Sequence, residues 1–333
     1  MPKNNRILYL DALRIIAAAM VVMIHSSGWF LLKSETCGAD WDATFFGSLS
    51  SCAVPTFFMI SGALMLSPDY QFTIRKILYK IFKIALIWLA WGVVYAILDM
   101  ETFSVAKLAI WTFKGHFHFW FFEYLVAIYL LFPVLRAFVE YNDGRYVFYF
   151  LICWFVFGIL AYTLNGISWH NEEIRIVTGK FHFELISFSG YFVLGHYLST
   201  NAKAKCASCV FLVAFMMVAF LQFLSERQSF LSIGTYSFTP LVLIEAICLF
   251  LFCKDSYRVS CPKSNIASSL AALTLGIYII HPIILEHCIP DTFWSFPLIV
   301  RVIAVFVYTF FISGIISYIL NHIPFVRKWL LSI

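Results

Sequence analysis

Apolar residues occur along this chain in long runs that are separated by short polar stretches. A helix needs roughly 20 apolar residues to cross the hydrocarbon core of a bilayer. The runs therefore predict about ten membrane-spanning helices, at 7–28, 44–66, 78–98, 118–138, 146–164, 183–199, 207–224, 238–253, 268–288 and 298–320. With short connections these spans use up all 333 residues. We expect an all-α polytopic membrane protein, with a single transmembrane domain over 1–333 and no appended soluble domain.

Composition and charge agree with this interpretation and add an orientation. Hydrophobic residues make up 62% of the chain and charged residues 12%, whereas soluble proteins contain about 25% charged residues. With the N-terminus in the cytoplasm, 15 Lys and Arg residues fall at the inner ends and six in the outer loops. This is the positive-inside bias, and an even number of spans then places both termini in the cytoplasm. The net charge of +5 reports this orientation, so it requires no nucleic-acid partner.

The first apolar run has one alternative interpretation, a cleaved signal peptide, because Lys3 and Arg6 precede it. Asp11 and Arg14 interrupt the apolar core of that run, no A-x-A cleavage site follows it, and many further spans do. We therefore favour the first helix of a multi-pass bundle.

The nine cysteines do not form a metal-binding pattern. Cys206 and Cys209 have the C-x-x-C spacing but lack a second pair of ligands, so we expect no metal. A disulfide between Cys37 and Cys288, in or near outer loops, is an option if that compartment is oxidising. Nothing in the sequence brings these two residues together.

A small set of ionisable residues lies within the predicted spans, where insertion scales put a central charge at about 2.5–3.5 kcal/mol unfavourable. Each is therefore a candidate for function. Glu245 is central in its span and is expected to face the bundle or to pair with another helix, whereas Glu184 lies at the start of its span. The set comprises Asp11, Arg14, His25, Glu123, Glu184, Glu245, His281, Glu286 and Arg301, with His118 and His196 near span ends.

Three of these residues share one face of the first span. At 3.6 residues per turn, the eleven steps from Arg14 to His25 make three turns plus about 20° and about 16 Å of rise. Asp11 lies within about 60° of both. The i to i+3 spacing of Asp11 and Arg14 also fits an interfacial ion pair, which we favour for Asp11. Such a pair does not explain His25, so we interpret Arg14 and His25 as functional.

Two further motifs suggest the lining of a cavity. In "VPTFFMISG" (54–62), Pro55 breaks the backbone ladder and Ser61-Gly62 permits close helix approach. In "HFHFWFFEYL" (116–125), we interpret His116 as a residue of an interfacial aromatic belt, and we expect His118 and the deeper Glu123 to line a cavity.

A third motif, "LGIYIIHPIILEHC" (275–288), places His281 directly before Pro282. Proline has no N–H, which leaves the carbonyl of Tyr278 without its helical partner. An imidazole beside freed backbone fits a reaction site, and it fits equally a kink that side chains stabilise.

These parts favour group transfer over redox chemistry or ATP hydrolysis, because the sequence has no metal-ligand pattern and no glycine-rich phosphate loop. A neutral imidazole takes a proton from a hydroxyl as the oxygen attacks an acyl carbon. An arginine holds phosphates of a cytoplasmic donor through bidentate hydrogen bonds. His118 or His281 then positions the acceptor or stabilises the oxyanion.

Taken in order, five stretches resemble the membrane acyltransferase-3 family, and the length resembles its enterobacterial common antigen O-acetyltransferase branch. The stretches are "LDALRIIAAAMVVMIH" with the spacing Arg14-x10-His25, "VPTFFMISG", "HFHFWFFEYLVAIYLLFPVL", "SGYFVLGHYLS" and "LGIYIIHP". The resemblance implies an O-acetyltransferase of the cell inner membrane that moves acetyl from cytoplasmic acetyl-CoA to a hydroxyl of a cell-envelope glycan or lipid-linked saccharide. It implies no permanently bound cofactor.

The resemblance also implies roles for individual residues. His25 is then the catalytic residue and Arg14 the residue for donor use. His118, Ser61 and His281 match family motifs with less defined roles, and Glu123 and Asp11 join them as supporting candidates. Family members often carry an Arg shortly before "VPTFF", where this chain has "SSCA".

Two other functions remain open at this point. A secondary transporter for a small polar or anionic solute would use Arg14, His25 and Glu245, but it usually has paired broken helices in two related halves, and the sequence lacks that symmetry. A non-catalytic scaffold in a polysaccharide-assembly complex is the third.

Overall fold

A computed structural model describes residues 7–33, 41–141, 144–167, 184–201, 208–227, 237–257 and 265–331. Within these ranges all regular elements are helical, which confirms the all-α prediction. Cys37 and Cys206 lie outside the described residues. The helices are α1 Leu8–Lys33, α2 Trp41–Ser50, α3 Ala53–Met65, α4 Ile74–Asp99, α5 Val105–Lys114, α6 Trp120–Glu140, α7 Arg145–Trp154, α8 Ala161–Ile167, α9 Glu184–Thr200, α10 Ser208–Arg227, α11 Pro240–Ser256, α12 Asn265–Ala271, α13 Thr274–His287, α14 Leu298–Asn321 and α15 Pro324–Trp329.

In the part of the chain that is described, seven helical segments are long and apolar enough to cross a membrane. Three predicted spans fall on shorter helices, α9 and α11 with 17 residues each and α13 with 14. The prediction of about ten spans and the cytoplasmic placement of the termini therefore stay predictions. The seven segments are Leu8–Gly28, Ala43–Met65, Ile74–Asp99, Val105–Glu140, Arg145–Asn165, Ser208–Ser225 and Leu298–Asn321.

The helix of the second span is interrupted, but the break does not lie at its proline. The second span breaks at Ser51 and Cys52, between α2 and α3, and Pro55 lies in the first turn of α3. A proline in the first turn removes an N–H that has no helical partner, so it does not break the ladder there. Pro282 likewise lies inside α13, which continues to His287.

Close packing of α3 against α9 forms the centre of the bundle. A Cβ atom on Gly62 would overlap the backbone carbonyl of Phe192, and one on Gly195 would overlap the backbone of Met59. Small residues at such a crossing let two membrane helices approach closely. The close approach predicted from Ser61-Gly62 is therefore confirmed.

Basic side chains bind the carbonyl groups at the C-terminal ends of two helices, at the same end of the bundle. Arg136 donates to the carbonyls of Met65, at 3.4 Å, and Ser67, at 2.5 Å, directly after α3. Lys254 donates to the carbonyls of Leu198, at 2.6 Å, and Ser199, at 2.8 Å, at the end of α9. The last carbonyls of a helix lack intrahelical partners, and basic side chains satisfy them here. We call this the basic end of the bundle; α1 begins there, and His25 lies toward the opposite end.

Candidate functional site

Two cavities lie within the bundle, one on the side of the basic end and one on the side of His25, and they meet at one residue. The basic cavity has a volume of about 400 Å³, and the histidine cavity has a volume of about 530 Å³. Tyr278 of α13 lines both. The basic cavity is lined by Arg14, Ser61, Lys80, Tyr129, Asn321 and Arg327 among others. The histidine cavity is lined by His25, Ser51, His118, Glu123, Tyr124 and Phe238 among others.

His25, which lines the histidine cavity, forms a direct pair with the buried His281. Nδ1 of His25 lies 2.6 Å from Nε2 of His281, and the two rings are nearly parallel, at 8°. Nδ1 of His281 lies 3.1 Å from the carbonyl oxygen of Ile277, one helical turn back. His281 is fully buried, so α13 holds the ring in place.

The hydrogen-bond pattern fixes the tautomers of this pair when both rings are neutral. A carbonyl oxygen only accepts, so Nδ1 of His281 carries the proton and its Nε2 accepts. Nδ1 of His25 must then be the donor. The lone pair of His25 is left on Nε2, which is the arrangement that a general base requires.

The fourth span brings His118 to the same cavity through a folded-back segment. The short helix α5 packs against α4, where a Cβ on Gly92 would lie 2.7 Å from the carbonyl oxygen of Thr112. Gly115 then ends α5 with a φ of 68°, a conformation that favours glycine. The 3₁₀ turn Phe117–Phe119 follows at the depth of the middle of α4, and α6 starts from there.

His118 is 1% exposed and is held by contacts on both sides. The hydroxyl of Tyr278 donates to its backbone carbonyl. Its Nδ1 lies 2.9 Å from Nδ1 of His116, whose Nε2 lies 3.2 Å from a carboxylate oxygen of Glu286. Within the described ranges, Nε2 of His118 has no hydrogen-bond partner. The sequence interpretation of His116 as a belt residue missed these contacts.

Arg14 and Asp11 lie at the basic end. Nη1 of Arg14 is 3.5 Å from Oδ1 of Asp11, and the hydroxyl of Ser268 donates to Oδ2 at 2.9 Å. Asp11 is buried, whereas about a third of the Arg14 side chain is exposed. The geometry fits the ion pair favoured for Asp11 and leaves the guanidinium at the wall of the basic cavity.

Two other predicted residues lie in different parts of the bundle. The hydroxyl of Ser61 donates to the carbonyl of Phe57 at 3.0 Å, and Ser61 lines the basic cavity, not the histidine cavity. Glu123 lines the histidine cavity, as predicted, but it is exposed. It lies in the first turn of α6, which begins at Trp120. A carboxylate is favourable there, near the positive end of the helix dipole.

Glu245 faces the interior, as predicted. It is fully buried, and the hydroxyl of Ser51 donates to its Oε2 at 2.6 Å. Ser51 lies at the break between α2 and α3 and lines the histidine cavity. Ser51 therefore connects the buried carboxylate of Glu245 to the wall of the histidine cavity.

Sequence reasoning missed three residues of the site. Lys80 and Arg327 were counted only as inner-end charges, although both line the basic cavity. Tyr278 was noted only for its carbonyl. Its position one helical turn before His281, on the same face of α13, was the signal that could have identified it.

Among the described residues, Asp99, Glu286 and His287 are the group whose ligand atoms lie close enough for a metal ion, all within 4.8 Å of one another. All three are exposed, and they already make contacts with protein partners, since His287 lies 3.5 Å from Asp99 and Glu286 pairs with His116. This group lies outside both cavities.

Comparison with known proteins gives one match. The family model described as an acyltransferase domain matches residues 7–318, a range that includes Arg14, His25, His118 and His281. Arg327 lies beyond it. Neither the curated proteins nor the solved structures that were compared match the chain. The family match covers nearly the whole chain, and the chain therefore belongs to the acyltransferase-3 family of membrane acyltransferases.

Proposed function

We propose that this protein is an O-acetyltransferase of the cell inner membrane that moves acetyl from cytoplasmic acetyl-CoA to a hydroxyl of a cell-envelope glycan or lipid-linked saccharide. The observation that carries the proposal is that His25, paired with His281 through Nδ1, lines a cavity that meets a basic cavity at Tyr278. A base with an acceptor site on one side and a cationic donor site on the other is what transfer between two compartments requires.

The basic cavity is the proposed donor site. Arg14, Lys80 and Arg327 supply three cations to its wall, and coenzyme A carries a pyrophosphate and a further phosphate. Arginine binds phosphate oxygens in bidentate fashion, and lysine acts as a point charge. The apolar residues Leu64, Leu125 and Leu275 line the same cavity and suit the pantetheine arm, which would carry the thioester toward Tyr278.

The histidine cavity is the proposed acceptor site. Trp120, Tyr124, Tyr162, Phe188 and Phe238 contribute aromatic faces to its wall. Sugar rings present apolar C–H faces, and such faces pack against aromatic rings. With the termini in the cytoplasm, this cavity lies on the envelope side.

The proposed reaction needs only these groups. Nε2 of His25 takes the proton of the acceptor hydroxyl while the oxygen attacks the thioester carbonyl, so that a C–O bond forms and the C–S bond breaks. The proton then passes from His25 to the departing thiolate, which leaves as free coenzyme A. His281 accepts from Nδ1 of His25 and stabilises the imidazolium that exists between the two steps.

Purified protein in lipid nanodiscs, with radiolabelled acetyl-CoA and a cell-envelope glycan fraction, tests the proposal. His25→Ala should abolish acetyl transfer while the protein stays folded. His322→Ala is the matched control, since His322 is exposed after α14, where its side chain contacts the carbonyl and the ring of Tyr318. Undiminished transfer by His25→Ala would refute the assignment, and solute uptake into proteoliposomes without use of acetyl-CoA would favour the transporter instead.

Mass spectrometry of envelope glycans identifies the acceptor. Glycans from cells with the protein should carry a mass increment of one acetyl group that cells without the protein lack. Identical glycan profiles in the two strains would contradict an envelope acceptor.

A further inference from the structure

We propose that Glu286 and His116 are positioning residues that fix His118 as a hydrogen-bond acceptor, and that His118 binds a second hydroxyl of the acceptor. This inference rests on the proposed function and adds to it. It predicts a substrate with at least two donor groups, one that is acetylated at His25 and one that is held at His118.

The direction of the hydrogen bonds starts from Glu286. Its side chain is 29% exposed. An ionised carboxylate only accepts hydrogen bonds, so Nε2 of His116, 3.2 Å away, must carry a proton.

The same logic extends to His118. With its proton on Nε2, a neutral His116 has a bare Nδ1, and this nitrogen accepts from Nδ1–H of His118 at 2.9 Å. A neutral His118 then has a bare Nε2. The carboxylate of Glu286 therefore sets the tautomers of both rings, so that Nε2 of His118 is a hydrogen-bond acceptor.

The surrounding contacts keep the rings in this order. His116 stacks on Tyr95 with ring centroids 4.1 Å apart, and the hydroxyl of Tyr95 donates to the carbonyl of Ile279 at 2.7 Å. The backbone carbonyl of His118 accepts from the hydroxyl of Tyr278. Turning either ring over about its Cβ–Cγ bond would break the contact between the two Nδ1 atoms.

The bare Nε2 of His118 is the feature that points to a ligand. His118 is 1% exposed, it lines the histidine cavity, and this nitrogen lacks a protein partner within the described ranges. A buried acceptor without a donor is unfavourable, so the chemistry that fits it is an O–H or N–H of the bound molecule. The carbonyl oxygen of a thioester, or an oxyanion, cannot supply that proton. Of the two roles that the sequence left open for His118, the structure favours positioning the acceptor.

Glu286→Gln tests the direction of the chain with little change in shape. The glutamine amide can donate to Nε2 of His116, which permits the opposite tautomers and places a proton on Nε2 of His118. Asp99→Asn is the matched control, because Asp99 lies beside Glu286 and contacts His287 but not His116. Glu286→Asp retains the carboxylate and should keep the acceptor KM close to the wild-type value.

The expected result is a split in the kinetic constants in the nanodisc assay. Glu286→Gln should raise KM for the acceptor about tenfold, the size of one hydrogen bond, and leave KM for acetyl-CoA unchanged. With the wild-type protein, a deoxy or O-methylated acceptor that lacks the second donor should show a similar rise in KM. With Glu286→Gln, the same change in the acceptor should raise KM little further, because the hydrogen bond is already lost.

Three outcomes are distinguishable. A Glu286→Gln protein in which nitrogen-15 NMR finds Nε2 of His118 protonated but the acceptor KM is unchanged overturns the inference while the transferase function stands. An equal loss with Asp99→Asn overturns it as well. A wild-type protein that transfers no acetyl overturns the proposed function instead. The nitrogen-15 NMR shift of labelled His118 gives a readout independent of activity, and a protonated Nε2 in the wild-type protein at neutral pH would also overturn the inference.

Discussion

The pairing of His25 with His281 gives the sharpest prediction for the proposed reaction. His281→Phe keeps a planar ring of similar size inside α13 but removes the nitrogen that accepts from Nδ1 of His25 at 2.6 Å. His25 becomes an imidazolium during transfer, so the lost hydrogen bond is one to a charged group. Such bonds contribute about 1.5–3 kcal/mol. Because 1.36 kcal/mol corresponds to a tenfold change in rate, kcat should fall about 10- to 150-fold.

The assay is single-turnover acetyl transfer from radiolabelled acetyl-CoA in nanodiscs, with saturating acceptor, so that the chemical step is measured. KM for acetyl-CoA should stay within about twofold, since His281 does not line the basic cavity. His281→Gln is the matched variant, because its amide carbonyl accepts a hydrogen bond as the imidazole Nε2 does. It should keep most of the wild-type rate.

Two results would refute the reasoning. A folded His281→Phe protein with the wild-type kcat would show that His25 needs no partner. A kcat in His281→Gln as low as in His281→Phe would show that ring packing matters and the hydrogen bond does not. Thermal unfolding of each variant in nanodiscs separates these results from loss of the fold.

Three other predictions concern the basic cavity and the helix packing. Arg327→Ala should raise KM for acetyl-CoA about fivefold or more, because a phosphate loses a charge-assisted hydrogen bond. Lys328 does not line the cavity, so Lys328→Ala should leave that KM unchanged. Gly62→Ala should lower the thermal stability sharply, as a Cβ there overlaps the backbone of α9, whereas Gly28→Ala meets open space and should have no effect. Asp11→Asn should weaken the ion pair at the start of α1 by about 1 kcal/mol and leave kcat within about twofold, and a large loss of kcat would show that Asp11 takes part in the reaction.

The stripe on α1 was predictable because it depends on one helix alone. Arg14 and His25 lie on the walls of two different cavities, as their spacing and separation along the first span suggested. Helical periodicity is a local property, so a sequence reveals it directly. The partner of His25 was not predictable as a contact, because His281 lies 256 residues further along the chain and no local pattern joins the two.

The fold-back of α5 and the break before α3 were missed for a related reason. Ten residues of α5 are too short to register as a span, and only the packing against α4 gives them a fixed place. At the break, Ser51 donates a hydrogen bond to Glu245, which is distant in sequence, whereas Pro55 drew attention to the wrong position. Both errors come from contacts between segments that are far apart in sequence.

The shared wall at Tyr278 has a consequence for the membrane itself. Its side chain is 7% exposed, and Phe121 and Phe122 pack against it with ring centroids 5.5 and 5.8 Å away. We expect this aromatic partition to keep the basic cavity and the histidine cavity apart, with no continuous column of water between them. A two-carbon group would pass from one thioester to one hydroxyl at the partition, while ions, sugars and coenzyme A stay on their own sides. We therefore expect the protein to preserve the permeability barrier of the membrane during turnover, and vesicles containing the protein should hold a pH gradient as long as vesicles without it.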